Sequence, residues 1–441
     1  MDHVTEIPRR ALTRTARLAS LPLGAAGRAA VGLGKRATGQ SSAEVAEEMQ
    51  RRTAEQLFTV LGSLKGGAMK VGQAMSVLEA ALPEDLVEPY REMLAKLQDA
   101  APPMSSADVH TVLTRELGPR WREQLVEFGE TPVAAASIGQ VHRGTWADGR
   151  TVAVKLQYPG AEAALRSDLQ QLARLARVIG AWMPGLDVKP VTEELLARAD
   201  EELDYILEAE HQRAFAAAYA DDPDVVVPQV VAGTRHVLIT EWLDGVPLGQ
   251  IIRDADQPTR DAVASLYLSF LVGAPARAGM VHADPHPGNY RVTPDGRLGV
   301  IDFGAVGHLP YGLPPVIGEL IRLALAGRDE EVLAGLLDQG FIRRGTATDA
   351  HAIVSYLRPF IEPLGHEEHR FSREWLREVS QRTTDFRHPE FAVGMKFNLP
   401  PEYLMIHRVF LGGIGVLSQI GGTVPARALG EQHLPGFAEP R

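Results

Sequence analysis

Between residues 104 and 301 the spacing of apolar positions changes period several times, and each change predicts an element. Helical spacing covers 106–117. Short alternating runs at 133–145 and 150–157 predict strands, with Ala147-Asp148-Gly149-Arg150 as the turn between them. Helical spacing returns over 161–182 and 191–219. Bulky apolar runs at Val225–Val227 and His236–Trp242 predict further strands. From 258 onward the pattern is mostly helical, broken by a hairpin-like stretch from Tyr290 to Ile301. Ahead of this region, 41–98 reads as two or three helices, and Leu57–Glu79 is dense in Gly62, Gly66, Gly67 and Gly72. Ala101-Pro102-Pro103 marks a linker. A small β-containing lobe followed by a larger helical lobe is an α+β arrangement with a cleft between the two.

Two apolar runs, 262–276 and 409–426, are long enough to raise the question of a membrane span. The second holds five glycines, a Gln and a Pro, so both are expected to be buried helices. The N-terminus differs. Arg9, Arg10, Arg14, Arg17, Arg28, Lys35 and Arg36 face only Asp2 and Glu6, a local +5 that leaves −16 on the rest of a chain of net charge −11. That composition suits either a flexible basic tail or a peripheral anchor on an anionic membrane surface. Arg14, Arg17 and Arg28 interrupt the apolar region an export signal needs. The acidic balance argues against nucleic acid as a partner. The absence of cysteine excludes disulfide scaffolds, thiol nucleophiles and thiolate metal sites. Only seven of the 45 cations are lysine, which fits a GC-rich, bacterial coding bias.

The chemistry concentrates in His282-Ala283-Asp284-Pro285-His286-Pro287-Gly288-Asn289, followed by Asp302-Phe303-Gly304. An Asp and an Asn five residues apart, with a second Asp on a following hairpin, is the catalytic-loop spacing of kinases. Asp284 would face the acceptor oxygen, while Asn289 and Asp302 would hold a divalent metal against nucleotide phosphates. Upstream, Val152-Ala153-Val154-Lys155 matches the strand lysine that neutralises phosphates. Thr240 to Gly245 reads as a hinge, with the backbone of Glu241 and Leu243 as adenine partners. Where a glycine-rich loop should precede Lys155, the chain has Ala134-Ala135-Ala136-Ser137-Ile138-Gly139-Gln140-Val141, whose Cβ atoms discourage the positive φ of such a loop. No Ala-Pro-Glu follows Asp302, so a platform for peptide substrates is missing. A metallohydrolase built on His282, Asp284 and His286 is a weaker alternative, since it leaves Lys155 without a role.

These residues resemble the UbiB/AarF-type (ADCK-type) atypical kinases over about 55–310, with weaker likeness to about 420. Lys70-Val71-Gly72-Gln73 is similar to that family's KxGQ signature, Ala134 to Val141 to its alanine-rich loop, Glu202-Leu203-Asp204 with Glu208 to its ExD segment, and His282 to Asn289 to its catalytic loop. The resemblance implies an atypical protein-kinase-like bilobal fold with an N-terminal helical KxGQ extension. Its segments would be a basic tail (1–40), the extension (41–103), an N-lobe with a helical insert (104–240) and a helical C-lobe (241–441). It implies ATP or ADP with Mg2+ (or Mn2+) as cofactors. The nucleotide would lie against Ala134, Ala135, Ala136, Ser137, Ile138, Val141, Lys155, Glu241 and Leu243. The metal would sit on Asn289 and Asp302, and catalysis would fall to Asp284 and Lys155. Lys70, Gln73, Glu202, Asp204 and Glu208 would regulate access, the KxGQ helix blocking a protein substrate. Read from spacing alone, Lys70 and Gln73 share a helix face and could equally be a solvated polar stripe. Asp204 and Glu208 would share one helix, and which carboxylate pairs with Lys155 stays open. The expected function is an ATPase or small-molecule or lipid-linked kinase supporting isoprenoid-quinone or related lipid metabolism. It would act in the bacterial cytoplasm, peripherally on the inner membrane face, with an isoprenoid lipid or quinone precursor as a further partner. The alternative is a nucleotide-gated lipid-binding scaffold without phosphotransfer. The acceptor, the quinone type and the oligomeric state are not set by the sequence.

Overall fold

A computed structural model describes residues 103–136, 138–163, 166, 203–384 and 388–439. Lys70, Gln73, Ser137, Glu202, the basic tail and the helices expected over 41–98 lie outside them, as does most of 161–182. In chain order the described elements begin with α1 (Ser106–Leu117), α2 (Trp121–Gln124), β1 (Leu125–Phe128), β2 (Ala134–Ala136), β3 (Gly139–Trp146) and β4 (Thr151–Gln157). Next come α3 (Tyr205–Ala218), β5 (Val225–Val226), β6 (Val230–Gly233), β7 (Val237–Glu241), β8 (Val246–Pro247), α4 (Leu248–Asp254), α5 (Gln257–Ala278) and β9 (Met280–His282). After them lie β10 (Tyr290–Val292), β11 (Leu298–Val300), β12 (Val306–His308), α6 (Pro315–Leu325), α7 (Asp329–Asp338) and α8 (Ala350–Ile361). The last are β13 (His369–Arg370), α9 (Arg373–Thr384), α10 (Pro389–Gly394), α11 (Pro401–Ile420), β14 (Thr423–Val424) and α12 (Ala426–His433). The mixed helix-and-sheet class expected from the sequence is what the chain adopts.

Contacts divide the described chain into two units, one holding 103–205 and 234–239, the other 206–233 and 240 onward. In the first, the strands run in the order β1-β3-β4-β7, with β2 also on β3, and β3 is antiparallel to β1, β2 and β4. The β3–β4 hairpin turns where Asp148-Gly149 was expected to turn it, Gly149 taking a φ of +89°. Ser105 caps α1 by accepting from the Asp108 amide at 3.2 Å. Val152, Val154 and Leu156 on one face of β4 are fully buried, so Lys155 stands on the other. A buried polar chain ties the unit together: Gln140 Oε1 accepts from the Met104 amide at 2.8 Å, and its amide donates to His142 Nε2 at 2.7 Å. His142 Nδ1–H in turn donates to the Gly129 carbonyl at 2.6 Å.

The second unit packs α3, α5 and α11 around one apolar core that includes Phe215, Tyr267, Phe270, Tyr290, Phe303, Val409 and Leu417. Its sheet runs β5-β11-β10-β8, and β12 returns antiparallel onto β9. Residues 262–276 fall inside α5, where Val263 to Pro275 includes a run of buried side chains, and α11 ends at Gly421 with a left-handed cap. Among the described residues no helix is long and apolar enough to cross a membrane. One helix departs from expectation. Asp204 lies ahead of α3, which opens at Tyr205, so Asp204 and Glu208 are not successive turns of one helix.

Candidate functional site

In the first unit the alanine segment is not a loop. Ala134 pairs with Val141, Ala135 with Gln140 and Ala136 with Gly139, which makes a hairpin of β2 and β3. Because Val141 in turn pairs with Lys155, the residues Ala134, Val141 and Lys155 form one cross-strand row on one face of the sheet. Ala135 falls in the alternate row, with Gln140 and Leu156, and is therefore not brought beside Lys155. Ile138 is buried at the turn, its carbonyl accepting from the Tyr158 amide at 2.9 Å. The Lys155 ammonium sits 5.1 Å from the centre of the Tyr205 ring, a cation–π arrangement.

In the second unit β9 delivers His282, and the chain then runs through Asp284 to a single 3-10 turn, Pro287–Asn289. His286 Nδ1 caps that turn by accepting from the Gly288 amide at 3.1 Å. Asn289 is 8% exposed, and its side-chain amide donates to the Asp284 carbonyl at 3.1 Å, closing the loop on itself. Its own carbonyl accepts from the Ile301 amide at 3.0 Å, which sets Asn289 beside the stretch leading into Asp302. Asp302 Oδ1 accepts from the Gly304 amide at 3.0 Å. Glu208, buried on α3, reaches the same place: a Cβ on Gly304 would stand 3.3 Å from Asp302 Oδ1 and 3.6 Å from Glu208 Oε2. Asp284, Asn289, Asp302 and Glu208 thus belong to one unit. Leu243 packs its side chain against Gly299 of β11, and Glu241 donates its backbone amide to the Gln229 carbonyl at 2.9 Å.

Beneath these groups lies an aromatic and imidazole layer. His282, 1% exposed, donates Nε2–H to the Asp302 carbonyl, so its Nδ1 accepts from the Tyr290 hydroxyl at 3.1 Å. Burial pushes the Tyr290 hydroxyl well above its ordinary range, and nearby Tyr267 and Asp284 push it further, so it stays a neutral donor. Phe303 is fully buried, its ring 4.9 Å from Phe215 and 5.4 Å from His282. This layer overturns the metallohydrolase alternative. Both ring nitrogens of His282 are spent on protein partners, and His286 Nδ1 is spent on its cap. Among the described residues, no group of three or more His, Cys, Asp or Glu is arranged to hold a metal.

Asn289 and Asp302 offer something different: two hard oxygen ligands, too few for a resident ion. They suit a magnesium that brings the rest of its shell as water and phosphate oxygen. The residues present fit that group. Sequence reasoning passed over His211, Tyr267 and Tyr290, although His211 follows Glu208 by three positions on the same helix and could have been found by that spacing.

A family model described as the ABC1 atypical kinase-like domain matches residues 96–332. An Arabidopsis thaliana protein, Activity of BC1 Complex Kinase 3, chloroplastic, is 33% identical over 321 residues, covering 71% of this chain and 44% of its own length. A Danio rerio protein, atypical kinase COQ8B, mitochondrial, is 27% identical over 434 residues, covering 96% of this chain and 68% of its own. The chain thus spans less than half of the plant relative. Among solved structures, Rv3197 of Mycobacterium tuberculosis in complex with erythromycin is 46% identical with a TM-score of 0.70, covering 91% of this chain and 100% of that one.

Proposed function

Because this chain belongs to the ABC1 atypical kinase-like family, we propose that it binds ATP or ADP with Mg2+ or Mn2+ and hydrolyses ATP or transfers its terminal phosphoryl group to a small or lipid-linked acceptor. The observation that carries the reading is the loop from Asp284 to Asn289, which closes on itself through the Asn289 side-chain amide and is joined by the Asn289 carbonyl to the Ile301 amide next to Asp302. When bound, the metal nucleotide supplies the phosphoryl group and offsets its charge. Asn289 and Asp302 hold the cation, and Asp284 accepts the proton of the attacking hydroxyl or water. Lys155 neutralises phosphate oxygens, with Ala134 and Val141 beside it forming an apolar row for the nucleotide. The β2–β3 hairpin of alanines, in place of a glycine-rich loop, argues against a typical protein kinase.

The named relatives in chloroplasts and mitochondria support a role in isoprenoid-quinone or related lipid metabolism; the +5 charge of residues 1–36 supports reaching it peripherally at the inner membrane face. A second reading, nucleotide-gated binding of a large apolar ligand without phosphotransfer, draws on the erythromycin complex of Rv3197. Phosphate release separates the two. The enzyme reading expects release above a metal-free blank that disappears in Asp284→Ala. Release equal to that blank, with nucleotide bound, favours the second. Flotation with anionic vesicles, comparing the full chain with one beginning at Ser41, tests the surface role: equal flotation removes the tail from it.

A further inference from the structure

The carboxylate of Asp302 is useful as a metal ligand only if the backbone that carries it is held in one orientation, so the partners of that backbone matter. From Ile301 to Ala305 four backbone groups have partners close by in the chain. The Ile301 amide donates to the Asn289 carbonyl, the Asp302 carbonyl accepts from His282, the Gly304 amide donates to Asp302 Oδ1, and the Ala305 carbonyl accepts from the Ala283 amide at 2.9 Å. These four all lie within the catalytic loop and its hairpin. The Phe303 carbonyl is different. It accepts from Nδ1 of His211 at 3.3 Å, a side chain 92 residues earlier on α3. A carbonyl can only accept, so Nδ1 carries the proton. His211 is 6% exposed, and its ring meets that of His308 edge-on at 5.5 Å, with β12 behind it. Helix α3 is itself fixed by fully buried Phe215 and by Gln212, whose amide donates to the Pro228 carbonyl at 2.7 Å.

We propose that His211 is a positioning residue for Asp302: through the Phe303 carbonyl it ties the metal-binding segment to α3, the helix that also sets Glu208 beside Gly304. Its burial keeps it from the ligand, so it acts on the metal only by orienting the backbone. Without the donor, the Phe303 carbonyl is left unpaired in a buried site and the segment relaxes toward water. Outer partners of metal ligands typically change metal affinity by about 10–100-fold when removed. The inference rests on the reading of Asp302 as a metal ligand.

The test uses two polar variants of similar size in the full chain. Asn places its side-chain amide where a histidine carries Nδ1, whereas Gln places it near Nε2. Two readouts are taken: amide hydrogen exchange of the peptide 302–308 in the ligand-free protein, and the Mg2+ concentration giving half-maximal thermal stabilisation by ATP. His211→Asn is expected to match wild type in both. His211→Gln is expected to exchange faster across 302–308 and to need roughly ten-fold more Mg2+, with metal-free nucleotide binding unchanged. Equal behaviour of the two variants, in either direction, overturns the proposal. If wild type shows no Mg2+-dependent stabilisation at all, the ligand reading of Asp302 fails, and the exchange contrast still decides whether His211 orders the segment.

Discussion

Gly139 opens β3 and closes the alanine hairpin by pairing with Ala136. Its α-carbon lies so close to β4 that an added Cβ would stand 2.1 Å from the Leu156 carbonyl oxygen and 3.0 Å from the Tyr205 hydroxyl. Neither β4 backbone nor a fully buried Tyr205 can give way cheaply. Gly139→Ala should therefore destabilise the first unit by about 1–3 kcal/mol or more, as overpacking does, read as a lower urea midpoint. A midpoint equal to wild type would show that the approach is looser than described. From the sequence Gly139 stood out only as the one glycine left in a loop that should hold three. Its close approach depends on β4 and Tyr205, 66 residues further on, which no local pattern announces. Lys155 was legible for the opposite reason. Strand alternation alone separates it from buried Val154 and Leu156, while its ring contact with Tyr205 was not foreseeable.

At the scale of elements, helix α11 explains the glycines that made residues 409–426 a poor membrane span. A Cβ at Gly413 would meet Leu271 of α5 at 2.2 Å, and one at Gly412 would meet the Pro285 ring at 2.5 Å. The helix lies flush against the 284–289 loop at Pro285, next to Asp284, and the small residues let it. Gly412→Ala should push Pro285 and displace Asp284, while the Asp302 backbone stays held by His282. Displacements of about 1 Å can cost on the order of 100-fold in rate, so phosphate release should fall steeply while Mg2+-dependent nucleotide binding persists. Release at the wild-type rate would contradict this packing account. The elements that were legible are those with local causes: α1 behind its Ser105 cap, and the β3–β4 and β10–β11 hairpins about their turns. Those missed have distant ones. Strand β12 exists because three residues find β9 more than twenty positions back, and the break ahead of Tyr205 ends the expected run through Asp204.

At the scale of the whole molecule, three histidines among the described residues share one titration logic. His142 in the first unit and His369 and His433 in the second are each pushed below the ordinary 6.5, burial being the main cause. Below pH 6.5 the unfolded chain takes up protons that these folded imidazoles resist, so stability is present above that pH and is lost as pH falls through it. The urea midpoint should drop between about pH 7.5 and 5.5. A flat or rising profile would mean that these rings are better hydrated than their packing indicates.

The decisive property is whether Asn289 and Asp302 of the second unit serve a metal nucleotide. Calorimetric titration of ATP into the full chain, with Mg2+ and then with a chelator, measures this most directly, with Asp302→Asn and Lys155→Ala run beside wild type. Wild type should bind with Mg2+ and be stabilised by about 2.7 kcal/mol at a hundred times its Kd. Asp302→Asn should lose the Mg2+-dependent part and keep the metal-free part, and Lys155→Ala should weaken both. No binding by wild type at saturating ATP and Mg2+, or an Asp302→Asn isotherm that overlays wild type, would contradict the account.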